Sequence, residues 1–354
     1  MLDWKNRVEN VRVSVDDSVG EAKSYFGGLW RTVAVLLALY LFAALLVGWF
    51  WSQEPEFFPV QQNARSAAEQ AQRPLVTGYT TVETLKTVAS TLLDKNGGYL
   101  SNDIAPPGLW LDNMPSWEYG VLVQVRDMAR ALRKDFSRSQ SQSTEDPDLA
   151  KAEPRFNFDN KSWALPATEA EYREGIKSLD RYQRRLADPS QPNAQFYTRA
   201  DNLNNWLGDV ATRLGSLSQR LSASVGRVRL NTDLKGDAVL APGEAPQVSE
   251  EVVQTPWLQI DNVFYEARGQ AWALSHLLRA IEVDFADVLA KKNATVSVRQ
   301  IIRELEAAQE PLWSPMILNG SGYGVLANHS LVMANYISRA NAAIIDLRTL
   351  LTQG

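Results

Sequence analysis

The sequence predicts an all-α protein: one N-terminal transmembrane helix followed by a long antiparallel helical bundle. Three observations carry this reading. Thr32 to Trp51 runs TVAVLLALYLFAALLVGWFW without a charged residue. Paired apolar rows recur every seven residues through the C-terminal half, and the alternation that marks strands is nearly absent.

The apolar run comes first. Twenty residues at about 1.5 Å each reach roughly 30 Å, the thickness of a bilayer's hydrocarbon layer. The predicted span covers residues 29–51, with Trp30 at one boundary and Trp49 and Trp51 at the other as interfacial anchors. Lys5, Arg7, Arg12, Lys23 and Arg31 precede it, whereas only Arg65 occurs in the twenty residues after it. That asymmetry keeps the N-terminus in the cytoplasm and sends the bulk of the chain outside, into the periplasm of a bacterial inner membrane. A cleaved signal peptide fits poorly, because GWFWSQEPE offers no small-x-small site and the apolar run is too long. Residues 1–28 form a cytoplasmic segment in which Trp4, Val8, Val11, Val15 and Phe26 trace one face of an amphipathic helix. Such a face lies on the membrane, pairs with a partner, or frays in solvent.

Composition narrows the chemistry. Asp and Glu exceed Lys and Arg by 41 to 36, and residues 1–31 hold equal numbers of each, so the exported part is mildly acidic. This argues against nucleic acid or an anionic membrane surface as its main partner. The absence of cysteine excludes disulfides, a thiolate nucleophile and cysteine-type zinc sites.

Residues 52–78 read as a polar linker interrupted by Pro55, Pro59 and Pro74, with a short helix over Asn63 to Gln72. The helical domain then occupies 79–354. Thr80 and Glu83 have capping-box spacing before Val82, Leu85, Val88, Leu92 and Leu93, and Asn96-Gly97-Gly98 ends that helix. After a Pro- and Trp-rich loop, Ser116 opens a second helix through Val121, Val125, Met128 and Leu132. Residues 137–167, which include a Ser/Gln tract, are a candidate flexible excursion. Thr168 and Glu171 cap a helix carrying Tyr172, Ile176, Leu179, Tyr182 and Leu186, closed by Asp188-Pro189.

Three heptad helices follow. The first carries Leu203, Val210 and Leu217 beside Leu207, Leu214, Leu221 and Val228. The second has Ile260, Ala267, Leu274, Ile281 and Val288 beside Phe264, Ala271, Leu278 and Phe285. The third has Leu326, Met333, Ala340 and Leu347 with Tyr336, Ala343 and Leu350. Paired rows of this spacing suit helices packed at a shallow angle. Residues 229–257, with no period, form a crossover or second excursion.

Candidate sites are sparse. His276 and His329 lie on different helices with no HxxxH or HExxH spacing, so structural or surface roles fit them best. Arg213, Arg220 and Arg227 recur every seven residues as a basic stripe: a ligand or partner groove, or more simply a face paired with acids of a neighbouring helix. Residues 319–324 read NGSGYG before a helix, but without the Lys-Ser/Thr ending of a phosphate loop a plain turn is simpler. Glu118, between Trp117 and Tyr119, has the aromatic setting of a raised-pKa general acid, yet no partner carboxylate is evident. No cofactor is implied.

WSPMILNGSGYGVLANHSLVMANYISRANAAIIDLR at the C-terminus and TPWLQIDNVFYEARGQAWALSHLLRAIEVDF before it resemble a family of proteobacterial inner-membrane proteins known only as a domain of unknown function. The resemblance spans nearly the whole chain and implies one N-terminal span and a helical exported domain, with no activity attached. Two functions follow as expectations: a membrane-anchored envelope scaffold or adaptor with a protein partner or a second copy, or an enzyme or binder for cell-wall glycan or peptide. On this topology a reporter active only outside the cytoplasm is active when fused after Gly354. An inactive external reporter with an active cytoplasmic one reverses the orientation.

Overall fold

The computed structural model describes residues 30–353 except 141, 142, 192, 231–249, 313, 315, 321–324 and 326. The amphipathic face of Trp4 to Phe26, most of the glycine-rich turn, and Leu326 lie outside these residues. The chain divides into two compact units, Met1–Trp51 and Ser52–Gly354. The first contains helix α1, Trp30–Trp51, 22 residues long and apolar enough to cross a membrane. Trp30 and Trp49 are exposed at its ends, and Trp51 is half-buried.

The second unit is all-α apart from one two-stranded ribbon among the described residues. Its helices are α2 Val60–Gln70, α3 Tyr79–Asp94, α4 Asn113–Ala131, α5 Leu149–Phe156, α6 Thr168–Leu186 and α7 Ala200–Ser222. Then come α8 Ile260–Asp284, α9 Ala286–Lys291, α10 Thr295–Ala307 and α11 His329–Thr352. Strands β1, Arg227–Leu230, and β2, Glu250–Val253, pair antiparallel between α7 and α8. A π-helical turn, Leu132–Phe136, prolongs α4.

At the centre lies α8, in which every residue from Glu266 to Leu278 is buried. Such a helix has no polar face to give to water, so its neighbours must cover it all round. Helices α4 and α8 run in the same direction: the Phe136 and Phe285 rings lie 5.3 Å apart beyond one end, and the carboxyls of Asp112 and Asp261 neighbour each other at the other. Their backbones touch. A Cβ on Gly120 would stand 2.1 Å from the Glu266 carbonyl oxygen, and one on Gly269 would stand 2.0 Å from that of Trp117. This parallel pair departs from a purely antiparallel bundle, and a parallel pair requires the crossover that residues 137–259 provide. Helix α11 also runs parallel to α8, with the His329 ring 6.4 Å from that of Phe264 where the two helices begin, whereas other pairings are antiparallel. Helix α7 meets α11 through Asn204–Arg348 and Ser218–Ala334, and α10 meets α8 through Glu306–Arg279 and Arg299–Glu282.

The heptads describe this packing with three corrections, the first being Val288, which lies on α9 beyond the end of α8 and is half-buried where Leu289 is buried. Leu203, Leu207, Val210, Leu214, Leu217 and Leu221 of α7 are buried, as are Ile260, Phe264, Ala267, Ala271, Leu274, Leu278 and Ile281 of α8 with Phe285 at its end. In α11 the buried set is Met333, Ile337, Ala340, Ile344, Leu347 and Leu351, so the second row is one residue later than Tyr336, Ala343 and Leu350. The reason is the 4-3 step that all three helices share, which a 3-residue offset after Met333 misplaces. Val228 leaves the α7 row because that helix stops at Ser222 and Gly226, at φ +81°, turns the chain into β1.

Other differences are local. Neither expected capping box forms: the Thr81 N–H and hydroxyl both donate to Asp284 Oδ2 at 2.7 Å, so a carboxylate from the end of α8 holds the start of α3. Thr168 donates its hydroxyl to the Asp159 and Ser162 carbonyls instead. Within 137–167, α5 buries Leu149, Ala152 and Phe156. Within 52–78, α2 buries Val60, Ala64 and Ala68.

Two substitutions test the packing. Leu278→Asp places an unpaired charge at a fully buried position and costs about 3–5 kcal/mol. Gly120→Val forces α4 from α8 and costs about 1–3 kcal/mol or more, against a few tenths for an exposed control. Denaturant titration of the full chain in detergent reads both.

Candidate functional site

The predicted arginine stripe divides. Arg213 of α7 meets Asp127 of α4, Nε to Oδ2 at 3.0 Å, and Arg220 grips both oxygens of Glu266 on α8, one at 2.7 Å. Arg227 stands on β1 opposite Val253 rather than on the helix. His329, at the start of α11, accepts the Leu318 N–H on Nδ1 at 2.9 Å, and its own backbone N–H donates to the Leu318 carbonyl. The imidazole therefore closes the loop between Leu318 and Asn328, where Asn319 and Asn328 form an isolated bridge. His276 has a separate set of partners, so the structure does not bring the two histidines into one site.

Arg220 and Glu266 line a cleft of about 600 Å³, where the first turns of α4 and α8 face the loop after α3. Ser101, Asp103, Asp112, Tyr119, Asn160 and Lys161 contribute to its walls. Beyond Arg220 a second hollow of about 610 Å³ continues toward Val253 and Pro256, sharing Arg220, Gln259 and Val263. Burial and the nearby Glu169 push the Asp103 carboxyl up; burial and Asp112 do the same to Asp261. Gln270 bridges Glu266 at 3.0 Å and Gln124 at 3.2 Å, a buried polar chain between α4 and α8. Among the described residues no group of His, Cys, Asp and Glu has the geometry to hold a metal ion.

Glu118 is fully buried but is not arranged as a general acid. Its oxygens accept the N–H groups of Leu100 and Ser101 at 2.8 Å each and the Ser101 hydroxyl, and Lys95 Nζ lies 2.5 Å from Oε1. Burial pushes its pKa up while Lys95 and these donors pull it down. Both oxygens are occupied, so the group acts as a clamp that holds the turn after α3 against α4 and shapes the cleft wall. Tyr99, at the same turn, donates its hydroxyl to the Asn160 carbonyl.

The most elaborate polar arrangement involves residues that sequence reasoning assigned to a linker. Arg268 of α8 is buried and binds Glu54 through Nε at 2.7 Å and Nη2 at 2.7 Å. Its remaining N–H groups reach the carbonyls of Ala308, Gln309 and Glu310 just after α10. Eight residues further along α8, His276 accepts the Phe58 N–H on Nε2 at 3.2 Å while Nδ1 meets the Trp272 carbonyl at 2.7 Å. Phe58 stacks on the imidazole with centroids 4.0 Å apart, and Trp272 closes the other side at 4.4 Å. Both nitrogens are satisfied by a neutral ring with its proton on Nδ1. No local pattern marked Arg268 or His276 as partners of residues some 210 positions away.

The arrangement defines a class: a helical domain behind one helix of membrane-crossing length, with a polar cleft and a pinned N-terminal strap. Residues 24–354 match the family described as an uncharacterized protein conserved in bacteria (DUF2333), and the chain belongs to that family. No curated protein and no solved structure matches it.

The strap gives the protein a pH signature. Burial, reinforced by Arg279, lowers the His276 pKa from 6.5 to about 4. Between those values the unfolded state binds more protons than the folded state, so stability rises with pH. It is lost as pH falls from 6.5 toward 4, by about 3 kcal/mol over the whole window. His276→Phe keeps the stacked ring, and the difference in unfolding free energy between parent and variant should shrink by that amount from pH 8 to pH 4. A pH-independent difference shows that His276 is not the titrating group.

Proposed function

We propose that the chain is a membrane-anchored helical scaffold of the bacterial envelope, with its N-terminus in the cytoplasm and its helical domain in the periplasm, where it positions an envelope protein or a second copy. The observation that carries this reading is the use of the buried ionisable groups. Glu118 and Lys95, Arg268 and Glu54, and His276 each hold chain segments together, and none presents a free atom to a substrate. A rigid body attached directly behind a membrane-length helix suits a part that holds others in place. The Lys/Arg asymmetry around α1 supports the orientation.

A second reading, a binder or enzyme for cell-wall glycan or peptide, is favoured by the cleft at the first turns of α4 and α8. Tyr119, Asp103 and Asp112 line it and Trp110 lies exposed at its edge, a mixture of ring faces and carboxylates suited to a sugar or an amine-bearing peptide. A photoreactive residue at Tyr119, in the full chain within its own membrane, separates the two. Under the scaffold reading the adduct is a defined protein that carries no glycan and is lost when that protein is deleted. An adduct with glycan or wall peptide instead overturns the scaffold reading.

A further inference from the structure

Exposed apolar side chains are distributed very unevenly between the two ends of the helical domain. At the end where α8 and α4 begin stand Trp257 and Leu258, 77% and 76% exposed, with Leu109, Trp110 and Ile104 on the facing loop. Trp163 lies close by on the loop tied to Asn102 through the Ser162 carbonyl. All exposed tryptophans among the described residues outside α1 are therefore at this end. The opposite end, where α8 finishes and α10 starts, exposes only Leu75 and Val296 among large apolar residues described.

The strap shows from which side the polypeptide arrives. Glu54 meets Arg268 and Phe58 meets His276, so the strap runs parallel to α8. The spacing is consistent: four extended residues and eight helical ones each cover about 12–13 Å. Followed backward, the strap leads to Ser52 beside Tyr265, toward the start of α8 and the apolar rim. The residue before Ser52 is the last of a 22-residue helix of membrane-crossing length.

We infer that the rim formed by Trp257, Leu258, Leu109, Trp110, Ile104 and Trp163 rests in the interfacial layer of the bilayer that α1 crosses. The inference goes beyond the scaffold reading and rests only on its membrane anchor. Trp with Leu and Ile is the composition that partitions into this layer, and the chain reaches the domain at the same end. The attraction is apolar, since Lys161 is the only unpaired cation described at the cleft. Contact should therefore persist at high salt, where an interaction through basic residues would weaken. A domain seated in this way has its cleft mouth close to the lipid headgroups.

The test exploits the absence of native cysteine. The full chain, carrying Leu258→Cys with an environment-sensitive fluorophore, is reconstituted in phosphatidylcholine/phosphatidylglycerol vesicles. It is quenched either by spin-labelled lipid or by aqueous iodide. Val296→Cys at the far end and Ala38→Cys within α1 serve as references. The Leu258 label should lose most of its emission to the lipid quencher and little to iodide, equally at low and high salt, while Val296 shows the reverse. A Leu258 label behaving like Val296, with Ala38 quenched by lipid, overturns the inference and leaves the anchor intact. Shielding from both quenchers also overturns it, because a second copy then covers the rim. An Ala38 label that lipid does not quench removes the anchor and the inference with it.

Discussion

Gly120 and Gly269 allow α4 and α8 to meet backbone to backbone, and this contact determines what the rest of the domain must do. Helices that approach so closely leave no room for large side chains between them, so the flanking positions are filled by Trp117 and Trp272, with rings 5.2 Å apart. Polar groups trapped beside the contact need partners, and the chain from Gln124 through Gln270 and Glu266 to Arg220 supplies them. With one side of α8 taken by α4, its remaining faces are covered by α3, α10 and α11 and by the strap. The cleft exists because the first turns of α4 and α8 are separated from the next layer by the loop that Glu118 and Lys95 hold.

The same arrangement explains the structural role of the strongly perturbed groups here. Desolvation raises the pKa of a buried carboxyl and lowers that of a buried histidine whether or not a substrate is involved. For Glu118, His276 and Asp284 the partners are backbone amides, hydroxyls, one ammonium and, within α8, the Trp272 carbonyl, and each group has at least one contact that joins two chain segments. Removing one partner would leave a buried charge or donor unsatisfied, which is a cost in stability. The cleft combines exposure, rings and carboxylates, as does the hollow along the strap lined by Glu54, Glu56, Phe57 and Tyr265.

Much of the fold was legible because heptad rows report packing at a shallow angle. All the α7 positions assigned from sequence up to Leu221, and all the α8 positions up to Phe285, are buried. The α11 register slipped by one residue in its second row because alanines and a tyrosine made the neighbouring row look equally apolar. Helix α10 was missed: Val298, Ile301, Ile302 and Leu305 form its buried face, but the helix is short and lies between two stronger patterns. The strap was illegible for a different reason. Pro55 and Pro59 and the polar residues around them read as a linker, and the groups that capture it lie on α8, distant in sequence. Gly120 and Gly269 gave no local sign of a close approach, since a lone glycine in a helix is also compatible with simple tolerance. Arg213 and Arg220 were found as a stripe, and their partners Asp127 and Glu266 became evident only with the helices in place.

The central claim is that residues 54–58 belong to the folded domain rather than tether it. Native-state hydrogen exchange of the full chain in detergent tests this at the Phe58 amide, which donates to buried His276. The account predicts that this amide is protected to a degree approaching that of α8 amides such as Leu278, and that Arg268→Ala, which frees Glu54, lowers its protection far more than that of Leu278. Exchange of Phe58 as fast as that of an exposed loop amide in the unmodified protein would contradict the account and restore the flexible linker.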